Sequence, residues 1–548
     1  MGLRLVVSVL SGLAWIASHA GSAHALTVLN NSDDGPGSLR AQIDAANGPS
    51  SAGSTITFDP SVRGTITLLS RLPTLMHHVT ITGPGADLLT ITAAAGAAGA
   101  PVFAFDTGGS DPGQTSFISG LTISGGSNTS GSNSGGGGGM SAAVGSGLTI
   151  LNCVITGNAA DQGSAIYFAG TSLRIDQTTI SDNTGAGAIY VATTTFAQVT
   201  DSTISGNHGT AIIFNPAAAQ LLTVGGTTVS GNDGQTGIGG LQLAVGQATL
   251  TNTTFSGNTG DIGADFWASS SGVTLKLTNV TAAGDGSPSL VVEAGATARL
   301  RNTLLAGTGA RCAGAGAPTS LGHNLATDAT CNLTDASDKP SVADARLGPL
   351  ADNGGLTQTH ALLAGSPAID AGDGVVDNDP NNPGEDQRGE LRTQFAGVDI
   401  GALEVTEPKI MQQPVAQDVT EGHGLTLVVV AINQNSMAPL GYQWRKDGVA
   451  IAGATSATFS KTAAVGDAGS YDVLVINDGG GLPSDAVAVT VDAAPAEPEP
   501  PAASDGGGCC SAGGAGPGAS GVLALLVAAG LGYRRRPRRP DFPRRADQ

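Results

Sequence analysis

The middle of the chain repeats one short pattern of apolar and polar positions. Each copy has an apolar residue, a Ser or Thr, a Gly or Asp, and then an Asn, and it closes a segment of alternating apolar and polar residues. The copies span residues 155–158, 180–183, 204–207, 229–232 and 255–258, so their Asn residues are spaced by 25, 24, 25 and 26 positions. Short alternating segments between Gly, Asn and Asp turns predict β-strands. A repeat of this length predicts a solenoid of similar coils.

The predicted fold is all-β, a right-handed parallel β-helix. Strands too short to pack alone bury their apolar side when each coil lies on the previous one. The first residues of the copies are therefore expected to stack inward as one column; they are Ile155, Ile180, Ile204, Val229 and Phe255. The repeated Asn is expected to take the left-handed conformation at one corner and to hydrogen-bond to its copies in neighbouring coils. Leucine-rich repeats have a similar period, but their Leu-x-x-Leu-x-Leu pattern is absent.

The composition agrees with a turn-rich β-structure. Of the 548 residues, 83 are Gly, and only 12% are charged, against roughly 25% in an average protein. The 44 acidic residues outnumber the 24 Lys and Arg residues, which gives a net charge of -20. This charge opposes binding to nucleic acid and to other anionic polymers, except where calcium ions bridge the two.

Residues 1–25 have the order of a secretory signal peptide. A basic residue at position 4 precedes an apolar run at 5–16, and positions 23–25 have the small-x-small pattern of a cleavage site. We therefore expect export, with the mature chain beginning near Leu26. The apolar run is shorter than the about 20 residues that span a bilayer, which disfavours a membrane helix.

The C-terminal end has a second targeting pattern. A linker rich in Pro, Glu and Gly at 493–508 leads to Cys509 and Cys510, an apolar stretch at 518–533 and a cluster of arginines. The arginines would hold such a segment in the inner membrane with its basic end inside. Residues 509–548 resemble the MYXO-CTERM family of bacterial sorting signals. The resemblance implies processing by a dedicated intramembrane protease and attachment at the outer envelope or cell surface through a modified cysteine, either Cys509 or Cys510. A plain tail anchor is the alternative.

Residues 26–405 are the predicted β-helix domain, and ordered motifs flank its repeats. An amphipathic segment ending at Asn47 predicts a helix that caps the N-terminal end. Downstream motifs follow at 347–350, 352–355, His360, 366–370, 386–389 and 399–402. Together these motifs resemble the choice-of-anchor Q domain family of secreted β-helix proteins, which occur with various C-terminal anchors. The resemblance implies a surface β-helix without an assigned catalytic set.

Residues 409–492 predict a separate β-sandwich, because strand-like segments recur at regular intervals. Trp444 with the turn after it, and the segment that ends in Tyr471, resemble an immunoglobulin-like domain. The resemblance implies that Trp444 lies in the core and that Tyr471 forms the tyrosine corner. Val473 stands where the second Cys of the usual pair would be, so the core is expected to hold without that disulfide.

Cys312 and Cys331 are a candidate disulfide pair. They lie 19 residues apart in a chain that we expect to be exported, and disulfides persist outside the cytosol. A metal pair is the alternative, but no neighbouring Cys or His has metal-site spacing. Cys153 lies among apolar residues of a strand and is expected to be a buried small hydrophobe.

Asp176 and Asp201 are candidate catalytic residues. They lie one repeat apart and are expected on adjacent coils, where close acids would supply the proton transfers of a lyase or hydrolase. A solvated polar ladder is the alternative, because Asn or Gln stands at the aligned position of other coils and no basic residue repeats beside them. The histidines are scattered, without a Ser, His and Asp set at any motif-like spacing.

A stretch near the end of the β-helix domain is a candidate calcium loop. It places oxygen ligands at nearly alternate positions, at Asp373, Asp377, Asp379 and Asn381. It lacks the central Gly and the distant Glu of an EF-hand, so a solvated turn is the alternative. The sequence assigns no cofactor, and calcium is the candidate that this loop suggests.

These patterns favour a non-enzymatic cell-surface protein. A β-helix would be displayed by the immunoglobulin-like spacer and attached through the processed C-terminus, with surface glycans or proteins of neighbouring cells as partners. The alternative is a polysaccharide lyase or glycoside hydrolase that acts through carboxylates on the β-helix. Two aligned acids plus an Arg on one face would favour the enzyme. A purely structural rod of the envelope is a third hypothesis.

Overall fold

The computed structural model describes residues 25–48, 53–94, 99–108, 114–129, 136–193, 196–217, 220–284, 288–363, 365–374, 384–392, 397–405, 408–433, 439–477 and 480–495. The chain divides into two compact units, residues 1–493 and residues 494–548. Nearly all of the second unit lies outside the described residues, as do the predicted signal peptide and the predicted sorting signal with Cys509 and Cys510.

Three ladders of parallel strands build the β-helix. The first ladder consists of Ala25–Val28, Ser54–Phe58, Val79–Thr82, Thr115–Ser119, Gly147–Leu151, Ser172–Asp176, Phe196–Thr200, Leu221–Gly225, the first halves of Gln247–Ser256 and Thr274–Ala283, Thr297–Arg301 and Thr319–Ser320. The second consists of Gly64–Leu68, Leu89–Ala93, Thr122–Ser124, Val154–Thr156, Thr179–Ser181, Thr203–Ser205, Thr228–Ser230, the second halves of the same two long strands, Leu304–Ala306 and Leu325–Ala326. The third consists of Phe103–Phe105, Met140–Ala142, Ile166–Phe168, Thr184–Val191, His208–Phe214, Leu241–Leu243, Phe266–Ala268, Leu290–Val292 and Cys312–Ala313, and the short strands Ser127–Asn128 and Ala159–Ala160 pair beside it. From Val79 onward, successive coils add strands to all three ladders, so the fold is the predicted right-handed parallel β-helix.

The predicted apolar column lies inside the β-helix. Its members stand opposite one another in the second ladder and are fully buried; they are Ile155, Ile180, Ile204, Val229 and Phe255. Full burial of such a side chain contributes about 1.5–3 kcal/mol relative to exposure. Alternate residues of the other two ladders point inward in the same way, so one hydrophobic core continues from coil to coil.

The corner after the second ladder differs from the sequence prediction. The repeated Asn does not take the left-handed conformation. The residue before it does, with φ between 55° and 64°, at Gly157, Asp182, Gly206, Gly231 and Gly257. Glycine adopts this conformation without steric cost, which explains why it stands at this position in most coils. The Asn that follows is turned inward and buried.

The buried asparagines form a continuous hydrogen-bonded ladder, as the sequence predicts. The side-chain amides of Asn158, Asn183, Asn207 and Asn232 each donate to the side-chain oxygen of the next Asn, at 3.0, 2.9, 2.8 and 2.9 Å. The last member, Asn258, donates to Asp265 Oδ1 at 3.0 Å. The backbone N–H of each Asn also donates to the next side-chain oxygen, for example from Asn183 to Asn207 at 3.0 Å. Because each buried amide has partners in the neighbouring coils, the ladder fixes how one coil lies on the next.

A helix packs against the first coil. The helix α1 spans Leu39–Ala46, and Ser38 caps it by accepting a hydrogen bond from Ala41 N at 3.2 Å. Leu39, Ile43 and Ala46 are fully buried in the same core as the first strands. The amphipathic segment of the sequence therefore forms a helix that covers this end of the core.

The described parts of residues 345–405 fold over the outside of the second ladder, and we call them the C-terminal cover. They contain an antiparallel pair, Leu347–Ala351 with Thr359–Leu362. Leu304 and Leu325 point away from the core of the β-helix and pack with apolar residues of the cover instead. The prediction that the β-helix itself extends to residue 405 is therefore corrected, because these outward Leu side chains are buried by a folded-back segment and not by further coils.

Residues 409–492 form short β-sheets with a separate hydrophobic core. Their strands are Lys409–Gln412, Gln417–Thr420, Gly424–Val428, Val430–Ile432, Gly441–Lys446, Val449–Ala450, Thr458–Thr462, Gly469–Asn477, Gly480–Pro483 and Val487–Asp492. Trp444 is fully buried opposite Val473. The buried Tyr471 donates its hydroxyl proton to Asp467 O at 2.9 Å, which is the contact expected of a tyrosine corner. The immunoglobulin-like assignment remains a prediction.

Candidate functional site

Asp176 and Asp201 lie on adjacent coils but at different positions of the coil. Asp176 ends a first-ladder strand opposite Thr200, whose hydroxyl donates to the Asp176 carboxylate at 3.0 Å. Asp201 is the next residue after Thr200 and takes the left-handed corner conformation, as Gln177 does one coil earlier. The two acids therefore do not occupy equivalent positions of their coils. They are 25 residues apart, whereas the register between their coils advances by 24 residues.

Both carboxyl groups ionise less readily than that of a free Asp. Partial burial raises the pKa of Asp176. Burial together with the charge of Asp176 raises the pKa of Asp201 to about 6. Gly226, at the same corner of the next coil, leaves room for the Asp201 carboxylate, because a Cβ there would lie 2.0 Å from Asp201 Oδ1. Asp201 is thus an acid whose protonation changes near neutral pH.

A basic group and an aromatic ring share the outer face of the first ladder with these acids. Arg174 stands two residues before Asp176 on the same strand, so both side chains point outward. Its guanidinium lies 5.4 Å from the centre of the Phe196 ring and donates to Gln198 Oε1 at 2.9 Å. This face can bind a polar ligand against the ring and can exchange a proton with it.

The third ladder carries a column of outward side chains. The positions in register from coil to coil are Ser141, Tyr167, Tyr190, Ile213, Gln242, Trp267 and Val291. The rings of Tyr167 and Tyr190 are nearly parallel, with centroids 5.7 Å apart and 11° between their planes. These two tyrosines and Trp267 are partly exposed. We call the three of them the aromatic column.

Polar neighbours hold the rings of the aromatic column. Asn215 donates to Tyr190 Oη at 3.2 Å, and Trp267 Nε1 donates to Glu293 Oε1 at 3.3 Å. Partial burial and the neighbouring Tyr190 raise the pKa of Tyr167, so its hydroxyl stays neutral at physiological pH. The rings of Tyr190 and Trp267 therefore each have a polar partner within the protein.

The C-terminal cover closes part of the second-ladder face. Gln387 lies at the centre of this contact. Its Oε1 accepts from Thr254 Oγ1 at 2.7 Å, and its Nε2 donates to Thr228 Oγ1 at 3.1 Å and to Thr357 Oγ1 at 2.9 Å. The outward hydroxyls of these coils are thus used to hold the cover, and they are not open to a ligand.

His360 and Arg392 also attach the cover to the β-helix. His360 Nδ1 lies 2.7 Å from Gly348 O and Nε2 lies 2.9 Å from Ser256 Oγ. A carbonyl can only accept, so Nδ1 carries the proton and Nε2 accepts from Ser256. Burial lowers the pKa of His360, which keeps the ring neutral. Arg392 Nη2 donates to the side-chain oxygen of Asn252, a corner residue of the β-helix, at 3.0 Å.

A buried ionic cluster stabilises the cover itself. Arg388 Nη2 lies 2.7 Å from Asp386 Oδ2, and Arg392 Nη1 lies 3.6 Å from Glu404 Oε2, with all four side chains almost fully buried. Burial and the neighbouring Asp399 raise the pKa of Glu404. Removing one partner of the Arg388–Asp386 pair leaves an uncompensated buried charge, so this pair holds the cover in one arrangement.

The predicted calcium site is only partly within the described residues. The Asp373 carboxylate is paired with Arg301, whose Nε lies 3.1 Å from Asp373 Oδ2. The other predicted ligands lie outside the described residues; they are Asp377, Asp379 and Asn381. Within the part of the chain that the structure describes, no three His, Cys, Asp or Glu side chains are placed to hold a metal ion. Calcium binding stays a prediction.

The structure places the cysteines as the sequence suggests. Cys312, in the last strand of the third ladder, is joined to Cys331 by a disulfide. Cys153 is buried, and burial raises the pKa of its thiol to about 12, which makes it unreactive. The predicted apolar segment at 518–533 lies outside the described residues. Among the described ones, no helix is long and apolar enough to cross a membrane.

A match to a known family supports the β-helix, and other comparisons cover shorter parts of the chain. Residues 107–271 match the family described as right handed beta helix region. The decoration protein of Escherichia phage T5 is 40% identical over 84 residues, which are 15% of this chain and 49% of the phage protein, so the chain spans about half of that relative. Among solved structures, the tandem Ig repeats of Dlar match 16% of this chain and 49% of theirs at 19% identity, with a TM-score of 0.15. A titin M10–obscurin-like 1 Ig complex matches 16% of this chain and 98% of its own at 27% identity, with a TM-score of 0.15.

Sequence reasoning missed the aromatic column. Its members are the middle residues of the third short strand of each repeat, where an outward residue lies between two buried ones. Aligning Tyr167, Tyr190 and Trp267 by that strand would have found them. The role of the motifs at 386–389 and 399–402 was also missed, because their partners lie more than 100 residues away in the chain.

Proposed function

We propose that this is an exported, cell-surface binding protein that presents the outer faces of its β-helix to glycans or to proteins of neighbouring cells. Residues 1–25 would direct export, and the processed C-terminus would attach the protein to the bacterial outer envelope through Cys509 or Cys510. The immunoglobulin-like domain would act as a spacer between this attachment and the β-helix.

The aromatic column is the observation that carries this proposal. Exposed Tyr and Trp side chains fixed on a rigid scaffold are typical of binding surfaces, because they bury a large area at little cost in conformational entropy. The cover occupies part of the second ladder, while the column on the third ladder keeps its rings partly exposed. The relative named as a decoration protein supports a role at a surface.

The test measures binding of labelled full-length protein to bacterial cells. The variant with Tyr167→Ala, Tyr190→Ala and Trp267→Ala is compared with Phe117→Ala, which removes a partly exposed ring from the outer side of the first ladder. We expect the triple variant to lose binding and Phe117→Ala to retain it. Equal binding by both variants would contradict the proposal. Periodate and protease treatment of the cells would then separate glycan from protein partners.

A second candidate function, polysaccharide lyase or glycoside hydrolase, is favoured by the acids of the first ladder. Asp201 is a carboxyl with a raised pKa beside Asp176, and Arg174 lies on the same face. A carboxyl that is partly protonated near neutral pH can serve as a general acid. Polymer chain length is measured after incubation of the full-length protein with acidic and neutral polysaccharides, with and without calcium. Shortening that Asp201→Ala abolishes would support the enzyme, and unchanged polymers would argue against it.

A further inference from the structure

We infer that the aromatic column binds a neutral polysaccharide chain that lies along the axis of the β-helix. This inference rests on the proposed binding function and names its ligand class. It is carried by the spacing of the rings, by the small residues beside Tyr167, and by the charge of the surrounding turns.

The spacing of the rings calls for an extended ligand. Tyr167 and Trp267 are separated by four steps of the ladder, through Tyr190, Ile213 and Gln242. Neighbouring strands lie about 4.8 Å apart, so the two rings are about 19 Å apart along the ladder. A disaccharide is too short to contact both rings. A ligand that uses the whole column must therefore be an oligosaccharide or polysaccharide that follows the stacking direction of the coils.

Small residues stand beside Tyr167 on one side of the ladder. On one side its ring is nearly parallel to that of Tyr190. On the other side the positions in register are Ser141 and then Ala104, both small. The C–H groups of a pyranose carry partial positive charge and pack against the negative face of an aromatic ring. Small neighbours leave space for that contact, which a bulky residue at 141 would fill.

The polar groups of the column suit hydroxyl-rich ligands. Asn215 and Glu293 bond to the polar ends of Tyr190 and Trp267, so these rings bring hydrogen-bonding groups beside an apolar surface. Gln242 places a partly exposed amide in the column between them. Alternating apolar and hydrogen-bonding surface matches the two kinds of surface that a sugar presents. Because the rings are already held, little entropy is lost on binding.

The charge of this side of the β-helix selects against anionic polymers. The stretches that lead from the asparagine ladder through the third ladder contain no Lys or Arg; they are residues 158–169, 183–193, 207–217, 232–245, 258–270 and 288–295. The same stretches contain Asp161, Asp233, Asp261, Glu293 and the buried Asp265. A surface with one sign of charge repels polymers of that sign. A neutral glycan is therefore favoured over a polyuronate or another polyanion.

The test is calorimetric titration of purified full-length protein with defined oligosaccharides. The neutral probes are cellohexaose, xylohexaose, mannohexaose and maltohexaose, each with its disaccharide, and the anionic probe is hexagalacturonate with and without calcium. We expect at least one neutral hexasaccharide to bind at least tenfold more tightly than its disaccharide and more tightly than hexagalacturonate. Tyr167→Ala and Trp267→Ala should each weaken binding by roughly threefold to tenfold.

Matched variants separate ligand contact from structural damage. Phe117→Ala removes a ring outside the aromatic column and should bind as the unchanged protein does. Circular dichroism is recorded for every variant, and all should keep the same β spectrum. The inference is overturned if the Tyr167 and Trp267 variants bind as Phe117→Ala does, if hexagalacturonate binds best, or if none of the neutral probes binds.

The failure of this inference differs from the failure of the proposed function. If the protein binds cells through the aromatic column but none of the neutral probes binds, the ligand class is wrong and the binding function stands. If cell binding does not depend on the column, both fail. Sedimentation of the protein without sugar tests whether the aromatic column binds a second copy of this chain. Self-association that the column variants abolish would identify that second copy as the ligand and would overturn the inference.

Discussion

Replacing Asn207 by Ala should test whether the asparagine ladder stabilises the β-helix. Asn207 is buried in the middle of the ladder. Its side-chain oxygen accepts from the backbone N–H of Asn183 at 3.0 Å and from the Asn183 amide at 2.9 Å. Its own amide donates to Ile180 O at 3.0 Å and to Asn232 Oδ1 at 2.8 Å. Alanine removes all of these bonds at once.

The magnitude follows from the groups that lose their partners. The Asn183 amide still donates to Ile155 O and Ser181 O, so it keeps partners. The backbone N–H of Asn183 loses the Asn207 oxygen, and an unpaired buried donor costs about 1–3 kcal/mol. The other lost side-chain bonds add about 1 kcal/mol. We therefore expect Asn207→Ala to lower the free energy of unfolding by about 3 kcal/mol.

Urea unfolding of the full-length protein, followed by far-UV circular dichroism, measures this change. The midpoint should fall while the slope stays the same, because the surface exposed on unfolding is unchanged. Asn215→Ala is the control, since Asn215 is exposed and its loss should cost less than about 0.5 kcal/mol. If Asn207→Ala were no more destabilising than Asn215→Ala, the ladder would not be a source of stability.

Three further predictions concern Glu404, the Cys312–Cys331 disulfide and Asp201. The raised pKa of Glu404 means that its carboxyl group binds a proton more tightly in the folded protein than in the unfolded chain. This proton therefore stabilises the fold fully below the ordinary pKa of 4.5, and the stabilisation is lost as the pH rises through the folded pKa. Glu404→Gln should make the urea midpoint fall less steeply with rising pH. Reducing the Cys312–Cys331 disulfide should lower stability by about 3 kcal/mol, seen as a lower melting temperature with a reductant. Asp201→Asn should raise stability at pH 7 and have little effect at pH 4, because burial and Asp176 disfavour the ionised form of Asp201. Melting temperatures of the variant and the unchanged protein at the two pH values measure this difference. An equal effect at both pH values would contradict the prediction.

The cover limits which faces of the β-helix are available for binding. Hydroxyls of Thr228 and Thr254 point outward like those of other second-ladder strands, yet both are buried beneath Gln387. Gln387, in the motif at 386–389, thus helps to dock the covering segment. The hydroxyls beneath the cover are therefore closed to any ligand.

The amino-acid sequence by itself determined the period, the strands and the inward column. These features depend on contacts between equivalent residues of successive coils, such as Ile180 and Ile204, and such contacts repeat at a fixed spacing that the sequence displays. The strands around Trp444 depend on a related kind of information, since alternation and turn residues are local signals.

Only the tertiary structure decided the features that depend on register or on distant partners. Gly206 and the equivalent residues take the left-handed conformation at the corner, because glycine adopts it more easily than Asn does. The Asn that follows each of them therefore points inward. Asp176 lies one residue before the corner position of its coil, whereas Asp201 occupies the corner position of the next coil. The buried contacts of Gln387 and Arg392 join residues more than 130 positions apart, and no local pattern records such a pairing. Local sequence patterns therefore determine the strands and turns of each coil, whereas packing between distant segments determines which outer faces of the β-helix remain uncovered.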